Sequence, residues 1–259
     1  MPLERKKVIM TGGSGGLGRL VAAQFLGAGA DLSIMSRNRG GPDGTRHLPA
    51  DLSTLQGIDA AQIIVAREAP DLLVNLAGVQ YFGPLEDQSL DDLCKSYLIN
   101  LMAPVALCRA ALPAMKRRNS GQIVNVGSVL GSIPFAHFAA YSSAKAGLKA
   151  FSEALRRELV DTDVCVTHIS PRATQTSLMT PDIRKYAQLT RMTIDDPVTV
   201  AEKIFRAIRQ RRKEVCIGIS ERIFSRLNAV LPRLIDAAVA KNDRKSKRLF
   251  PTTIPQRST

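Results

Sequence analysis

Tyr141-Ser142-Ser143-Ala144-Lys145 opens a stretch with helical spacing. The i, i+4 separation puts a phenol and an ammonium on one helix face about a turn apart. A cation beside a phenol favours the phenolate and draws its pKa down. A phenol tuned this way can donate a proton to a ketone being reduced and recover it in the reverse direction. Alone, the pair fits an ordinary solvated helix face equally well. A second chemical element is Thr11-Gly12-Gly13-Ser14-Gly15-Gly16-Leu17-Gly18, which follows an apolar run and opens a helical stretch. Backbone amides and the helix dipole converge there, where a pyrophosphate could sit, and glycine keeps Cβ atoms out of the way. The loop reads either as Gly13-x-Gly15-x-x-Gly18 or as Gly12-x-x-x-Gly16-x-Gly18, and a glycine-rich turn without a ligand is the plain alternative.

The elements that must position these residues are legible as short apolar runs alternating with helical patterns. Strands are predicted near 7–11, 31–36, 46–50, 71–76, 121–127, 163–170 and 214–218, and helices over 16–28, 52–68, 90–117, 141–160 and 198–212. Strands apolar on both faces, separated by helices, define an α/β doubly wound parallel seven-stranded sheet of Rossmann type. Asp51-Leu52-Ser53 and Asp196-Pro197 supply helix caps. The crossover Arg37–Arg46 is rich in turn formers and is expected to be a loop. Residues 1–220 form one cofactor-binding and catalytic domain, and 221–259 a basic amphipathic C-terminal extension in which Pro232 kinks a helical stripe.

Cofactor preference is read where strand two ends. An acid about 20 residues beyond the glycines would bind the 2′-hydroxyl of NAD. The chain instead has Ser36-Arg37-Asn38, and Arg37 offers a 2′-phosphate a cation and a planar donor fork. This favours NADP(H) over NAD(H), against the plain reading of a surface arginine.

Metal chemistry is not expected. Cys94, Cys108, Cys165 and Cys216 are scattered, and His47, His137 and His168 are the only histidines. The thiols suit a reducing compartment. The charged start Glu4-Arg5-Lys6-Lys7 leaves no room for a signal-peptide core, and no uncharged run reaches membrane-span length, so a cytoplasmic position is expected. Of the net charge of +13, the stretch Lys203–Arg248 carries +10, from 14 Lys/Arg against four acids. A charge confined to one end marks a surface for an anionic partner. Nucleic acid is not expected, because no aromatic platform accompanies the charge.

Taken in order, the glycine loop, Asn75-Leu76-Ala77-Gly78, Asn100, Ser128, Tyr141 and Lys145 resemble the short-chain dehydrogenase/reductase family over residues 5–220. The resemblance selects the Gly12, Gly16, Gly18 parsing, with Ser14 and Leu17 in the same cofactor loop. It implies Tyr141 as general acid/base, Lys145 on the nicotinamide ribose, Ser128 on the substrate oxygen and Asn100 organising a water relay. It also implies that Asp51 and Leu52 contact the adenine, that Asn75, Ala77 and Gly78 form the cofactor side of strand four, and that Thr174 and Thr176 meet the carboxamide. Asp51 could equally serve only as a helix cap. Two departures stand out. Leu76 replaces a second asparagine, and Arg172 replaces the glycine after Pro171, at a cost on the order of a kcal/mol if that backbone needs positive φ.

The substrate is expected between Val129, Leu130, Ile133, Phe135, His137 and Phe138 on one side and Leu178, Met179, Tyr186 and Met192 in the variable segment 177–195. This apolar set suits a hydrophobic ketone or alcohol, including an acyl chain, with His137 as a loop hydrogen bonder. The basic stripe either meets an anionic membrane surface or packs on its own domain or a second subunit. The family resemblance implies a homo-oligomer, dimer or tetramer, through the helices near 90–117 and 141–160. The competing reading of the whole chain is a cofactor-binding regulatory or scaffold protein without turnover.

Overall fold

The computed structural model describes residues 2–250. Seven parallel strands, β1 (Lys7–Thr11), β2 (Asp31–Ser36), β3 (Arg46–Pro49), β4 (Leu72–Asn75), β5 (Gly121–Val126), β6 (Val164–Ser170) and β7 (Glu214–Cys216), form one sheet in the order β3-β2-β1-β4-β5-β6-β7. Side chains alternate across it as the strand period of two requires. Val8 and Met10 enter a core shared with α1 (Gly16–Gly27) and α7 (Pro197–Arg209), while Ile9 enters the core beneath α2 (Leu55–Glu68), α4 (Ala103–Arg117) and α5 (Ala139–Glu158). Both faces are covered, which is why the strands read as continuous apolar runs. Strand order reverses between β1 and β4, the position where an open α/β sheet leaves a crevice beyond its carboxyl ends.

Several elements depart from the sequence pattern. The expected helix 90–117 is α3 (Leu90–Tyr97) and α4 joined by a π-helical turn over Leu98–Met102. By length and composition the run Leu90–Arg117 could cross a membrane, although Asp91, Asp92, Lys95 and Arg109 interrupt it, so no uncharged run of that length occurs there. In this fold Leu107, Cys108, Ala111 and Met115 on one side of it are fully buried against α2 and the sheet. Helix α2 starts three residues later than predicted because Thr54 caps it, its Oγ1 accepting from Gly57 N at 3.0 Å. Asp196 caps α7 as expected, accepting from Thr199 N at 2.8 Å. The crossover between β2 and β3 has no helix, and Gly41 and Gly44 turn there with φ of 117° and 87°.

An unpredicted helix, α6 (Pro181–Thr190), occupies the middle of the variable segment. Among the described residues the extension forms two helices, α8 (Ile219–Val230) and α9 (Pro232–Ser246); its last nine residues, 251–259, lie outside the described residues. Leu231, at φ −132° and ψ 61°, leaves the helix before Pro232, so the expected kink is a complete break. Helix α9 packs on α6, and its Ile235 and Ser246 are buried.

Candidate active site

A cleft of about 1000 Å³ runs along the carboxyl ends of β1, β2, β4 and β5 and continues to α6, α8 and α9. At its floor the glycines have different reasons to be glycine. Gly12 has φ 73°, and a Cβ there would lie 2.6 Å from Ala77 N. A Cβ on Gly18 would lie 1.9 Å from Gly12 O. The fold itself therefore excludes side chains at both positions. Gly16 is different, since a Cβ there meets nothing closer than Thr176 at 3.7 Å across the cleft. Helix α1 starts at this gap with no side-chain cap and no acid in its first turn. Ser14, Leu17, Ala77, Gly78, Thr174 and Thr176 line the same space. Unpaired amides facing a gap that the fold does not need are what a diphosphate requires, so these residues fit a dinucleotide.

Thr11 Oγ1 accepts from both Leu76 N and Ala77 N at 3.1 Å, locking the ends of β1 and β4 together. That bond uses the backbone of Leu76, which explains why leucine is tolerated there. Asn75 does not face the cleft, contrary to expectation. It is buried, and its Nδ2 donates to Asn125 Oδ1 at 2.8 Å. Successive side chains alternate along a strand, which turns the Asn75 side chain inward, and the cleft lining begins at Leu76.

The four expected catalytic residues come together. Asn100 sits in the π turn, fully buried, with Nδ2 donating to Val79 O at 2.8 Å and to Ser96 O at 2.9 Å. Such turns break the helical ladder at functional positions. A Cβ on Gly78 would stand 3.0 Å from Asn100 Oδ1 and 3.7 Å from Lys145 Nζ, so the three residues meet at one point. Lys145 donates to Val126 O at 3.0 Å, and its Nζ lies 5.8 Å from the centre of the Tyr141 ring. Ser128 follows β5, accepts from Leu130 N through its Oγ at 3.2 Å, and lines the cleft with Tyr141.

The electrostatics correct one expectation. Burial pushes the Tyr141 pKa up to about 12, and the nearby Ser128 hydroxyl only partly opposes it. Burial likewise brings Lys145 down to about 8. Desolvation outweighs the cation-phenol pairing predicted from spacing, and the phenol is protonated at neutral pH. Behind Lys145, which the sequence pattern did not flag, His168 is brought down to about 3 by burial and then by the Lys145 charge.

Arg37 is exposed at the end of β2 and lines the cleft with Asp51 and Leu52. Asp51 does not cap α2. It accepts from Ser53 N at 2.9 Å and Ser53 Oγ at 2.6 Å, bonds that hold its pKa low, with the Arg37 charge adding to them. Arg19 and Arg39 also line this end and were not singled out in the sequence, because lone cations beside turn residues carry no periodic signal.

The expected substrate residues line the other end, except His137. Its φ is 69° and its Nε2 meets Ser246 Oγ at 3.1 Å, so it joins the loop before α5 to α9 rather than facing the cleft. Arg172 does not occupy a positive-φ position, and the strain expected for it is absent. It pairs with Asp195 at 2.7 Å and Glu221 at 3.2 Å, tying the loop after β6 to α8. Phe224, Asn242 and Asp243 complete the wall from the extension, a contribution not anticipated from its basic, amphipathic sequence.

Residues 6–187 match the family described as short chain dehydrogenase. The chain is 34% identical to Dehydrogenase/reductase SDR family member 7B of Rattus norvegicus, covering 95% of this chain and 84% of the relative. It is 32% identical to Ketoacyl reductase HetN of Nostoc sp., covering 83% and 79% of the two chains. Among solved structures, a short chain dehydrogenase from Burkholderia cenocepacia in complex with NADP superposes with a TM-score of 0.78 at 21% identity, over 92% of this chain and 99% of that one, and shows the shared fold. With the cleft, the glycine loop and the four convergent residues in place, the match places this chain in the short-chain dehydrogenase family of oxidoreductases.

Proposed function

We propose that the chain is an NADP(H)-dependent carbonyl reductase acting on an apolar ketone or, in reverse, a secondary alcohol, of 3-oxoacyl, steroid-like or other lipid-like type. The observation that carries this is a buried phenol, protonated at neutral pH and set beside Ser128 and Lys145, at the junction of a dinucleotide-shaped cleft and an apolar wall. When bound, the cofactor supplies the hydride. Ser128 holds the substrate oxygen, and Tyr141 delivers a proton to it as negative charge develops. The protonated Lys145 stabilises the phenolate left behind and holds the nicotinamide ribose. Asn100 anchors the β4 end through Val79 and orders water beside Lys145 for proton return. Gly12, Ser14, Gly16, Leu17 and Gly18 cradle the diphosphate, Arg37 takes the 2′-phosphate, and Asp51 and Leu52 flank the adenine. Ala77 and Gly78 pass under the cofactor, with Asn75 shaping that strand end from inside, and Thr174 and Thr176 approach the carboxamide.

The names of two similar proteins support this reading, a ketoacyl reductase and a short chain dehydrogenase in complex with NADP. Residues 1–220 as the catalytic unit with 221–259 as its extension, a homodimer or homotetramer, and a cytoplasmic position peripheral to a membrane belong to the same proposal. The test follows NADPH and NADH absorbance with ketones of increasing chain length, for the parent and Tyr141→Phe. Turnover that needs an apolar ketone and vanishes in the variant is expected. Tight NADPH binding with no turnover across the series would instead establish a cofactor-binding protein without catalysis.

A further inference from the structure

The last two helices carry an apolar stripe that the fold leaves open. Ile223 is 54% exposed, Leu227 43%, Val230 74%, Leu231 46% and Leu234 63%. On α9, Ile235 turns inward instead and is 6% exposed. Phe224 belongs to both surfaces, since it is 44% exposed and also lines the cleft. Arg222 and Arg226, one helical turn apart on α8, and Arg233 and Arg244 on α9 stand exposed on the same helix pair. From Glu221 to Phe250 the sequence has eight Lys/Arg against three acids, and one of those acids, Glu221, is already paired with Arg172.

We infer that the α8–α9 pair is a docking face for an anionic lipid bilayer, and that the cleft opens onto it at Phe224, so that an apolar ketone reaches Tyr141 from the lipid side. The access route rests on the reductase reading; the docking face does not. Contiguous exposed apolar residues mark an interaction surface. Flanking cations select one with negative headgroups, into which side chains of this size insert. The helix pair is already seated on the domain through α6, so the domain does not cover the stripe. A second copy is the other conceivable cover. It would set Arg222, Arg226, Arg233 and Arg244 against the same four charges, which electrostatic complementarity disfavours. The open stripe therefore meets anionic lipid, and its continuity with the cleft gives an apolar substrate a path that avoids water.

Flotation of the full chain with vesicles of phosphatidylcholine alone, or mixed with phosphatidylglycerol, tests docking. Binding to the mixed vesicles is expected, weakened by salt. Arg222→Glu/Arg226→Glu and Leu227→Asp/Leu234→Asp should each lower partitioning about tenfold or more, with NADPH binding retained as the check on folding. A parent that floats with neither vesicle, or variants that float as well as the parent, overturns docking. So does a dimer in sedimentation velocity that Leu227→Asp/Leu234→Asp dissociates, because the stripe then belongs to a second copy. For access, a long-chain ketone dissolved in the mixed vesicles should lose kcat/KM in both variants, while a short water-soluble ketone keeps the parent value. Equal behaviour of the two ketones overturns lipid-side access alone. Absence of turnover with either ketone overturns the reductase reading and the access route with it, and flotation still decides docking.

Discussion

Arg172 grips Asp195 with two parallel hydrogen bonds, Nε to Oδ2 at 2.8 Å and Nη2 to Oδ1 at 2.7 Å, and its Nη1 reaches both carboxylate oxygens of Glu221 at 3.2 and 3.3 Å. The three side chains are 20%, 14% and 21% exposed, so water replaces the lost partner poorly. The loop after β6, the segment before α7 and the start of α8 are thereby held as one unit. Arg172→Ala should cost about 1–3 kcal/mol. For a chain of this size that is a fall in Tm of about 2–4 °C per kcal/mol. Arg172→Gly, which restores the residue family resemblance implies, should do no better, because the position does not use positive φ. Glu221→Gln keeps the Asp195 arm and should cost less than about 1 kcal/mol, yet raise KM for an apolar ketone as α8 loosens. Arg172→Ala melting with the parent in a thermal scan would remove the clamp.

The glycine loop permits a separation of folding from binding. Gly18→Ala pushes a Cβ into the Gly12 carbonyl, so the protein should lose stability whether or not cofactor is present. Gly16→Ala fills only open cleft and should melt with the parent, while its NADPH dissociation constant rises on the order of tenfold or more through lost hydrogen bonds to phosphate. Isothermal titration and a thermal scan on both variants check this. Unchanged NADPH affinity in Gly16→Ala would displace the diphosphate from this loop.

What the sequence conveyed and what it hid divide along the range of the interactions. The strands were legible because a strand buried on both faces must be apolar throughout, and the glycine loop because backbone approach admits no Cβ. Arg172 looked like a defect because its partners lie 23 and 49 residues further on, in segments with no local link to it. The pairing of Tyr141 with Lys145 was visible from spacing, but the direction of the phenol's pKa was not, since burial by Leu130, Phe138 and Tyr186 is a property of the assembled wall. The π turn at Asn100 has the same hydrophobic pattern as a continuous helix. Helix α6, inside the variable segment 177–195, carries start signals in Thr180 and Pro181.

Lys145 gives a signed pH dependence. Its pKa in the fold is about 8, below the ordinary 10.5, so the unfolded chain binds this proton more tightly than the native one. Native stability is therefore reduced while the lysine must be charged, and recovers as pH rises from about 8 toward 10.5. Relative to Lys145→Met, which does not titrate there, the parent should gain stability across that window, on the order of 3 kcal/mol in full. Denaturant unfolding of the cofactor-free proteins at pH 8 and 10 reads the difference. The comparison stops at pH 10 because Tyr141, with its pKa raised to about 12, acts in the opposite sense above its ordinary value of 10.0. A parent and variant that keep a constant gap would show that Lys145 is not held in a desolvating site.

The proposed NADP(H) preference rests on Arg37. It stands at the mouth of the cleft, exposed, and its charge already contributes to the low pKa of Asp51 across the strand ends. A 2′-phosphate placed there would gain a charge-assisted, forked contact, whereas a 2′-hydroxyl would gain little from a guanidinium. Arg37→Asp removes the cation and adds a repelling carboxylate. The NADPH dissociation constant should then rise about 10- to 100-fold, while that of NADH changes by no more than a few-fold, because aspartate offers the hydroxyl an acceptor. Arg39 lines the same end, so Arg39→Ala should shift NADPH in the same direction by a smaller factor. Nucleotide fluorescence titrations on parent and variants separate the outcomes. Equal losses for NADPH and NADH would mean that Arg37 shapes the cleft without reading the phosphate, and would remove the basis for the proposed NADP(H) preference.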